Sequence, residues 1–270
     1  MEVDMFRSLL DYIRLACAYL RINLNAQLAY RGAFFSEAIA MFINDGAWVL
    51  FWVFFFTRFP VLRGWSFTDV VSLWAICAAG YGLAYCAMGN AHRQLASTIA
   101  NGELDMWLLH PRAVLPHLLL GRTIPSAWGD WIFGYLVYLV FVRPDARHMG
   151  MFMILNFTTA MAFVGLGIMA GSLSFYVGNA GAMSDQWRDA VITFATHPPA
   201  LFDGAMKVLL FTVIPAGFVS YLPVATLKSM SMRDLILAFA GAAAVLGISV
   251  GVFYHGLRRY ESGNLISMNG

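Results

Sequence analysis

The chain has 270 residues, 60% of them hydrophobic and 12% charged, with a mean hydropathy of +0.68 and a formal net charge of +2. A soluble domain of this length carries about 25% charge, so the composition excludes a water-solvated globule, and the near-neutral balance excludes an electrostatic binder of nucleic acid. Cys17, Cys77 and Cys86 show no CxxC spacing, which argues against a disulfide framework or a zinc-thiolate site.

The opening segment places Leu9, Leu10, Ile13, Ala16, Cys17, Leu20 and Leu24 at helical spacing, with Arg7, Asp11, Arg14 and Arg21 mainly on the other side. That pattern predicts an amphipathic helix over about 1–30 lying on a membrane surface. It has no continuous apolar core, so the first span rather than a cleaved leader is expected to direct insertion.

Six stretches approach the ~20 apolar residues that a bilayer demands. They are 38–57, 70–90, about 123–142, one within 149–184, about 207–222, and 235–254. Period-two alternation is absent, which argues against a membrane β-barrel. With six spans and the N-terminus inside, eleven of the seventeen lysines and arginines fall in cytoplasmic segments. Both termini are therefore expected in the cytoplasm. One membrane domain, 1–270, is the expected organisation.

Two cytoplasmic connections are predicted, 91–115 and 178–206. In the first, Asn101-Gly102 ends a helix because glycine accepts left-handed geometry at a helix C-terminus. A short acidic and hydrophobic helix follows, and Pro111 stops it. Such a helix–turn–helix suits docking into a groove on a soluble partner. In the second, Asp185, Arg188 and Asp189 share a helix that leads to His197-Pro-Pro199, read as interfacial. Further on, Pro215, Gly217 and Pro223 interrupt an apolar run, which predicts a broken or re-entrant segment.

The chemistry of an enzyme is missing. There is no GxxxxGK[ST] loop, so any ATP site, with its Mg²⁺, would have to be on a partner, and no cofactor is expected in this chain. There is no HExxH or GxSxG, and the six histidines are scattered, so no metal or catalytic site is expected. Gly165-x-Gly167-x-x-Ala170 imitates a dinucleotide fingerprint without a preceding strand. Gly167-xxx-Gly171 and Gly247-xxx-Gly251 read better as faces for close helix approach. Asp45 and Asp130 are ionisable residues deep in apolar stretches, with Glu37 nearer an interface. Such residues are pathway candidates by default, because charge is costly in lipid; the alternative is pairing with a neighbouring arginine or helix terminus. A proton- or sodium-coupled carrier is the competing function, and it would require internal repeats with matching helix breaks.

Four ordered stretches carry a family resemblance: Tyr30-Arg-Gly-Ala-Phe34, Asn101-Gly-Glu-Leu-Asp105 with Pro111, Val213-Ile-Pro-Ala-Gly-Phe-Val-Ser-Tyr-Leu-Pro223, and Gly256-Leu-Arg-Arg-Tyr-Glu-Ser-Gly-Asn264. With them the chain resembles the permease subunits of type-2 ABC exporters, in a less characterised bacterial branch. The resemblance implies an all-α integral membrane fold in the bacterial inner membrane. It implies six spans, an interfacial N-terminal helix and a re-entrant segment shaped by Pro215, Gly217 and Pro223 between the last two spans. It also implies a second permease subunit, identical or related, and two separate ATPase subunits. The coupling helix that docks on the ATPase would carry Gly102, Glu103, Leu104 and Asp105.

Overall fold

A computed structural model describes residues 2–110 and 113–260, with side chains described from residue 10 onward. Among the described residues there are helices, turns and one isolated bridge between Leu62 and Trp65, and no strand. The helices are α1 (Glu2–Ala29), α2 (Arg31–Arg58), α3 (Phe67–Ala87), α4 (Arg93–Ala100), α5 (Leu104–Leu108), α6 (Val114–Leu120) and α7 (Ser126–Val137). They continue with α8 (Ala146–Ser172), α9 (Ser174–Val177), α10 (Gly181–Ala195), α11 (Ala205–Thr212), α12 (Leu222–Ser229) and α13 (Met232–Leu257).

Length and hydropathy qualify α2, α3, the stretch from α8 through α9, and α13 as membrane-crossing helices. The α11–α12 pair qualifies only if its two arms, bent by 79°, count as one span. The structure thus supports four to five apolar spans on these grounds, against six expected. The expected third span is α7 extended by a π turn at Tyr138–Val142. It is shorter than the others.

Helix α3 is the axis of the bundle. A capping box at Ser66 and Asp69 starts it, satisfying two of the amide donors that a helix N-terminus leaves free. From Val70 to Gly80 every residue is buried. It packs antiparallel to α7 and beside α8. The close approach to α7 depends on Gly134, where an added Cβ would stand 2.5 Å from Ala79 N and 2.6 Å from Ala75 O. Aromatic side chains fill the wider gaps, as in Tyr138 stacked on Phe152 at 4.1 Å and Phe42 set edge-on to Phe133 at 5.2 Å. Such pairs add specificity where apolar area alone gives no preference over lipid.

Helix α1 runs almost directly into α2 and is tethered by polar side chains on one face. Tyr19 Oη meets His117 Nδ1 at 3.0 Å, and Asn23 Nδ2 donates to Leu120 O at 2.9 Å. Gln27 Nε2 donates to Thr123 O at 2.9 Å. Leu10, Ile13, Ile22 and Leu28 remain exposed.

Helix α10 bridges the two ends of the bundle. At its start, Asp185 accepts from Arg93 at 2.9 Å and lies 3.8 Å from His92. Beyond its finish, His197 packs against Trp52 near the end of α2, and Asp203 pairs with Arg63 at 3.0 Å. The sequence 178–206 therefore does not stay at one end.

The two glycine faces diverge. Gly167 abuts Ala91 and Gly171 abuts Leu95, whereas Gly247 and Gly251 have no atom near the place a Cβ would occupy. Gly165, Gly167 and Ala170 lie within the unbroken helix α8, so the dinucleotide-like spacing forms no phosphate loop.

Candidate functional site

Three groups of residues singled out from the sequence lie in three places. The first is intramembrane. Asp45 on α2 and Asp130 on α7 are brought together, with their carboxyl groups within hydrogen-bonding reach of each other. They are 5% and 3% exposed. They line a cavity of about 250 Å³ whose other walls come from α3 and α10. Trp74, which sequence reading did not single out, and Arg188 and Asp189, which it placed on an interfacial helix, line the same cavity. Arg188 is held by Asp185 at 3.2 Å and Asp189 at 2.8 Å. Glu37 does not join this group; it lines a separate cavity with Asn23, Gln27 and Arg122.

The second group is the α4–α5 loop. Leu95, Ala96, Thr98 and Ile99 of α4 are buried, and Gly102 makes the turn at φ +71°, a conformation that a Cβ disfavours. Leu104 is fully buried and anchors α5. Glu103 is exposed, with Asn101 Nδ2 donating to its Oε1 at 3.3 Å. Asp105 is half-buried. It lies close to Tyr260, whose pKa is raised by burial and then by the Asp105 charge. Met106, Leu108 and Leu109 are exposed, Leu109 by 85%. Pro111, the expected stop, lies outside the described residues.

The third group is the break between α11 and α12. Pro215 stands in the short gap after α11, and Gly217 opens a π turn over Gly217–Tyr221. A side chain at Gly217 would collide with the Phe211 ring. Pro223 follows directly on that π turn, as the second residue of α12. The carbonyls freed by the break and by the end of α10 are satisfied by side chains. Trp187 Nε1 donates to Val213 O at 2.9 Å, Ser220 Oγ to Ala195 O at 2.6 Å, and Tyr221 Oη to Phe194 O at 2.6 Å. Thr159 Oγ1 donates to Val219 O at 2.8 Å. The far end of the α12 arm returns to the α2–α3 loop and the start of α3. There Lys228 pairs with Asp69 at 2.9 Å and caps the Trp65 ring at 4.5 Å.

No group of three or more His, Cys, Asp and Glu able to hold a metal occurs among the described residues.

A multi-pass helical membrane domain with a buried polar centre is what this architecture defines. The chain belongs to the ABC-2 family transporter proteins, whose family model matches residues 42–264. It is accordingly a membrane component of an ABC transporter. No curated protein and no solved structure matches the chain.

Proposed function

We propose that the chain is the transmembrane subunit of an ATP-driven exporter in the bacterial cytoplasmic membrane. It pairs with a second permease subunit to form the translocation pathway, and it is driven by separate ATPase subunits that bind ATP and Mg²⁺. The observation that carries this reading is the α4–α5 loop. It sets an exposed carboxylate, Glu103, beside exposed Met106, Leu108 and Leu109 on a short helix anchored by Leu104. An apolar patch with an acidic edge matches a groove with basic residues on a soluble partner. ATP has greater affinity for the closed pair of ATPases, and closure pushes the loops and rocks the permease halves against each other.

In this reading six segments cross the membrane: α2, α3, α7 with its π turn, α8, α10 and α13. Helix α10 replaces 207–222 as the fifth, and 205–229 becomes a re-entrant hairpin entered from outside. Helix α1 lies along the inner interface, its exposed leucines and isoleucines facing lipid. The buried carboxyl pair is the feature that would favour a proton-coupled carrier, but family membership weighs against it.

Co-purification with the candidate ATPase in detergent tests the proposal. Wild type is expected to capture it, and Glu103→Lys combined with Asp105→Lys is expected to reduce capture at least tenfold. Because Asp105 also touches Tyr260, the single Glu103→Lys variant should carry most of that loss. Equal capture by all three chains moves the docking site elsewhere, and no capture by wild type overturns the permease reading.

A further inference from the structure

Around the cavity between α2, α3, α7 and α10, three buried polar atoms have no hydrogen-bond partner among the described residues: Asp45 Oδ2, Asp130 Oδ2 and Trp74 Nε1. Trp74 is 6% exposed and stacks on Trp48 at 5.9 Å. It is independent of the acidic pair, sits on a different helix, and offers a donor where the aspartates offer acceptors. Asn44 also reaches Asp45, but brings no charge.

The charges do not balance locally. Among the described residues Arg188 is the one cation lining the cavity, and it is already committed to Asp185 and Asp189. Among the described residues no lysine, arginine or histidine forms an ion pair with Asp45 or Asp130. A hydrogen bond between two carboxyl groups needs a proton on one of them, so the pair carries one negative charge, and a buried carboxylate in low dielectric requires a compensating positive charge. The remaining walls include Met41, Ala78 and Ile192. With an acid pair of one negative charge, an aromatic wall and apolar surroundings, the cavity suits a weakly hydrated organic cation better than a bare ion that keeps its water.

We propose that this cavity binds the ammonium group of a cationic amphiphile, with the proton-sharing Asp45–Asp130 pair as its single counter-charge and Trp74 donating to an acceptor atom on the same molecule. The proposal rests on the exporter reading above, and it names the class of cargo. Asp45 is near the middle of α2 and Trp74 and Cys77 near the middle of α3, so the charged group would sit midway along the crossing. The volume of about 250 Å³ takes a headgroup and leaves the apolar remainder to the bundle surface.

The test is equilibrium binding to the full chain in lipid nanodiscs, using two probes of equal shape. One is the phenyl ether of choline, a quaternary ammonium with an ether oxygen. The other is 3,3-dimethylbutyl phenyl ether, in which carbon replaces nitrogen. Wild type is expected to bind the cation at least tenfold more tightly than its neutral twin. Asp45→Asn combined with Asp130→Asn keeps the side chains able to hydrogen-bond to each other and removes their charge; it should abolish that preference. Glu37→Gln, in the separate cavity, should leave it intact. Equal binding of both probes to wild type overturns the proposal, and needs no variant to fold. An undiminished preference in the double variant also overturns it, and leaves the aspartates as a clamp between α2 and α7. Absence of binding by a chain that still captures the ATPase removes the cation site and leaves the permease reading standing.

Discussion

His92, at the turn between α3 and α4, is 6% exposed and has neither ring nitrogen hydrogen-bonded. Tyr85 meets its ring edge-on at 5.0 Å. Burial depresses its pKa to about 4, helped by the positive charges of Arg188 and Arg93, against the opposing pull of Asp185 and Asp189. The folded chain therefore holds His92 neutral where the unfolded chain, near 6.5, takes up a proton. Stability rises with pH wherever the unfolded state binds more protons. The contribution of His92 is thus complete above about 6.5 and lost as pH falls from there towards 4. The gap sets an upper bound of about 3 kcal/mol. His92→Phe keeps the ring contact without the proton. Its melting temperature in detergent should fall less between pH 7 and pH 4.5 than that of wild type; an identical fall in both would remove His92 as the cause. At this scale, sequence reading finds what is costly. Asp45 and Asp130 stand out because a carboxylate in an apolar run needs a reason. Trp74 does not, being one of eight tryptophans in a lipid-like composition, and only the packing of α3 against α2 shows that its N–H is unpartnered.

Helices α3 and α7 show how an element's partner is chosen when lipid is as apolar as the protein. Backbone proximity at small residues supplies the preference. Gly134→Ala would drive a methyl group into Ala75 O and Ala79 N, and neither backbone atom can move without shifting α3. Overpacking of this kind costs about 1–3 kcal/mol. The expected outcome is a lower melting temperature and a loosened acid pair, since Asp130 lies one turn before Gly134. Gly247→Ala, with open space around it, is the matched control and should leave the melting temperature unchanged. An equal response from both would place the α3–α7 contact outside the forces that hold the bundle. The long apolar helices α2, α3, α8 and α13 were legible from hydropathy within a few residues. The pair α10 and α11–α12 was not, for opposite reasons. Asp185, Arg188 and Asp189 make α10 look interfacial, yet they pair with one another and with Arg93, and Asp185 and Arg188 are largely buried. The run 207–222 is apolar enough to cross, yet Pro215 and Gly217 bend it and Trp187 holds the bend. Hydropathy scores residues singly, whereas the proposed path of α10 rests on the pairing of charges and on the break in one helix.

For the whole molecule, the path of α10 decides which face of the membrane each loop occupies. If 181–203 crosses, Lys207 moves to the outer side and Arg188 leaves the count, so the inner excess of basic residues narrows to nine against seven. The positive-inside argument then weakens, and orientation rests more on the α4–α5 loop facing an ATPase. The ion pairs speak for the crossing. Asp185 with Arg93 fixes one end of α10 beside that loop, and Asp203 with Arg63 fixes the chain beyond its other end beside the α2–α3 loop. Helix α3 separates these two loops by 21 residues, about 32 Å at the α-helical rise and enough for a bilayer core. In a background of Cys17→Ser, Cys77→Ala and Cys86→Ala, a single cysteine at Val177 or at Leu201, both exposed, reports the two ends of α10. A membrane-impermeant maleimide added to intact cells should label Leu201→Cys and spare Val177→Cys until the membrane is permeabilised. If both behave alike, α10 does not cross and 205–229 must. The cavity holding Asp45 and Asp130 would then be walled on one side by a helix that does not traverse the membrane. Opposite labelling would instead place that cavity between four crossing helices, where a cargo passing from one face to the other would meet it.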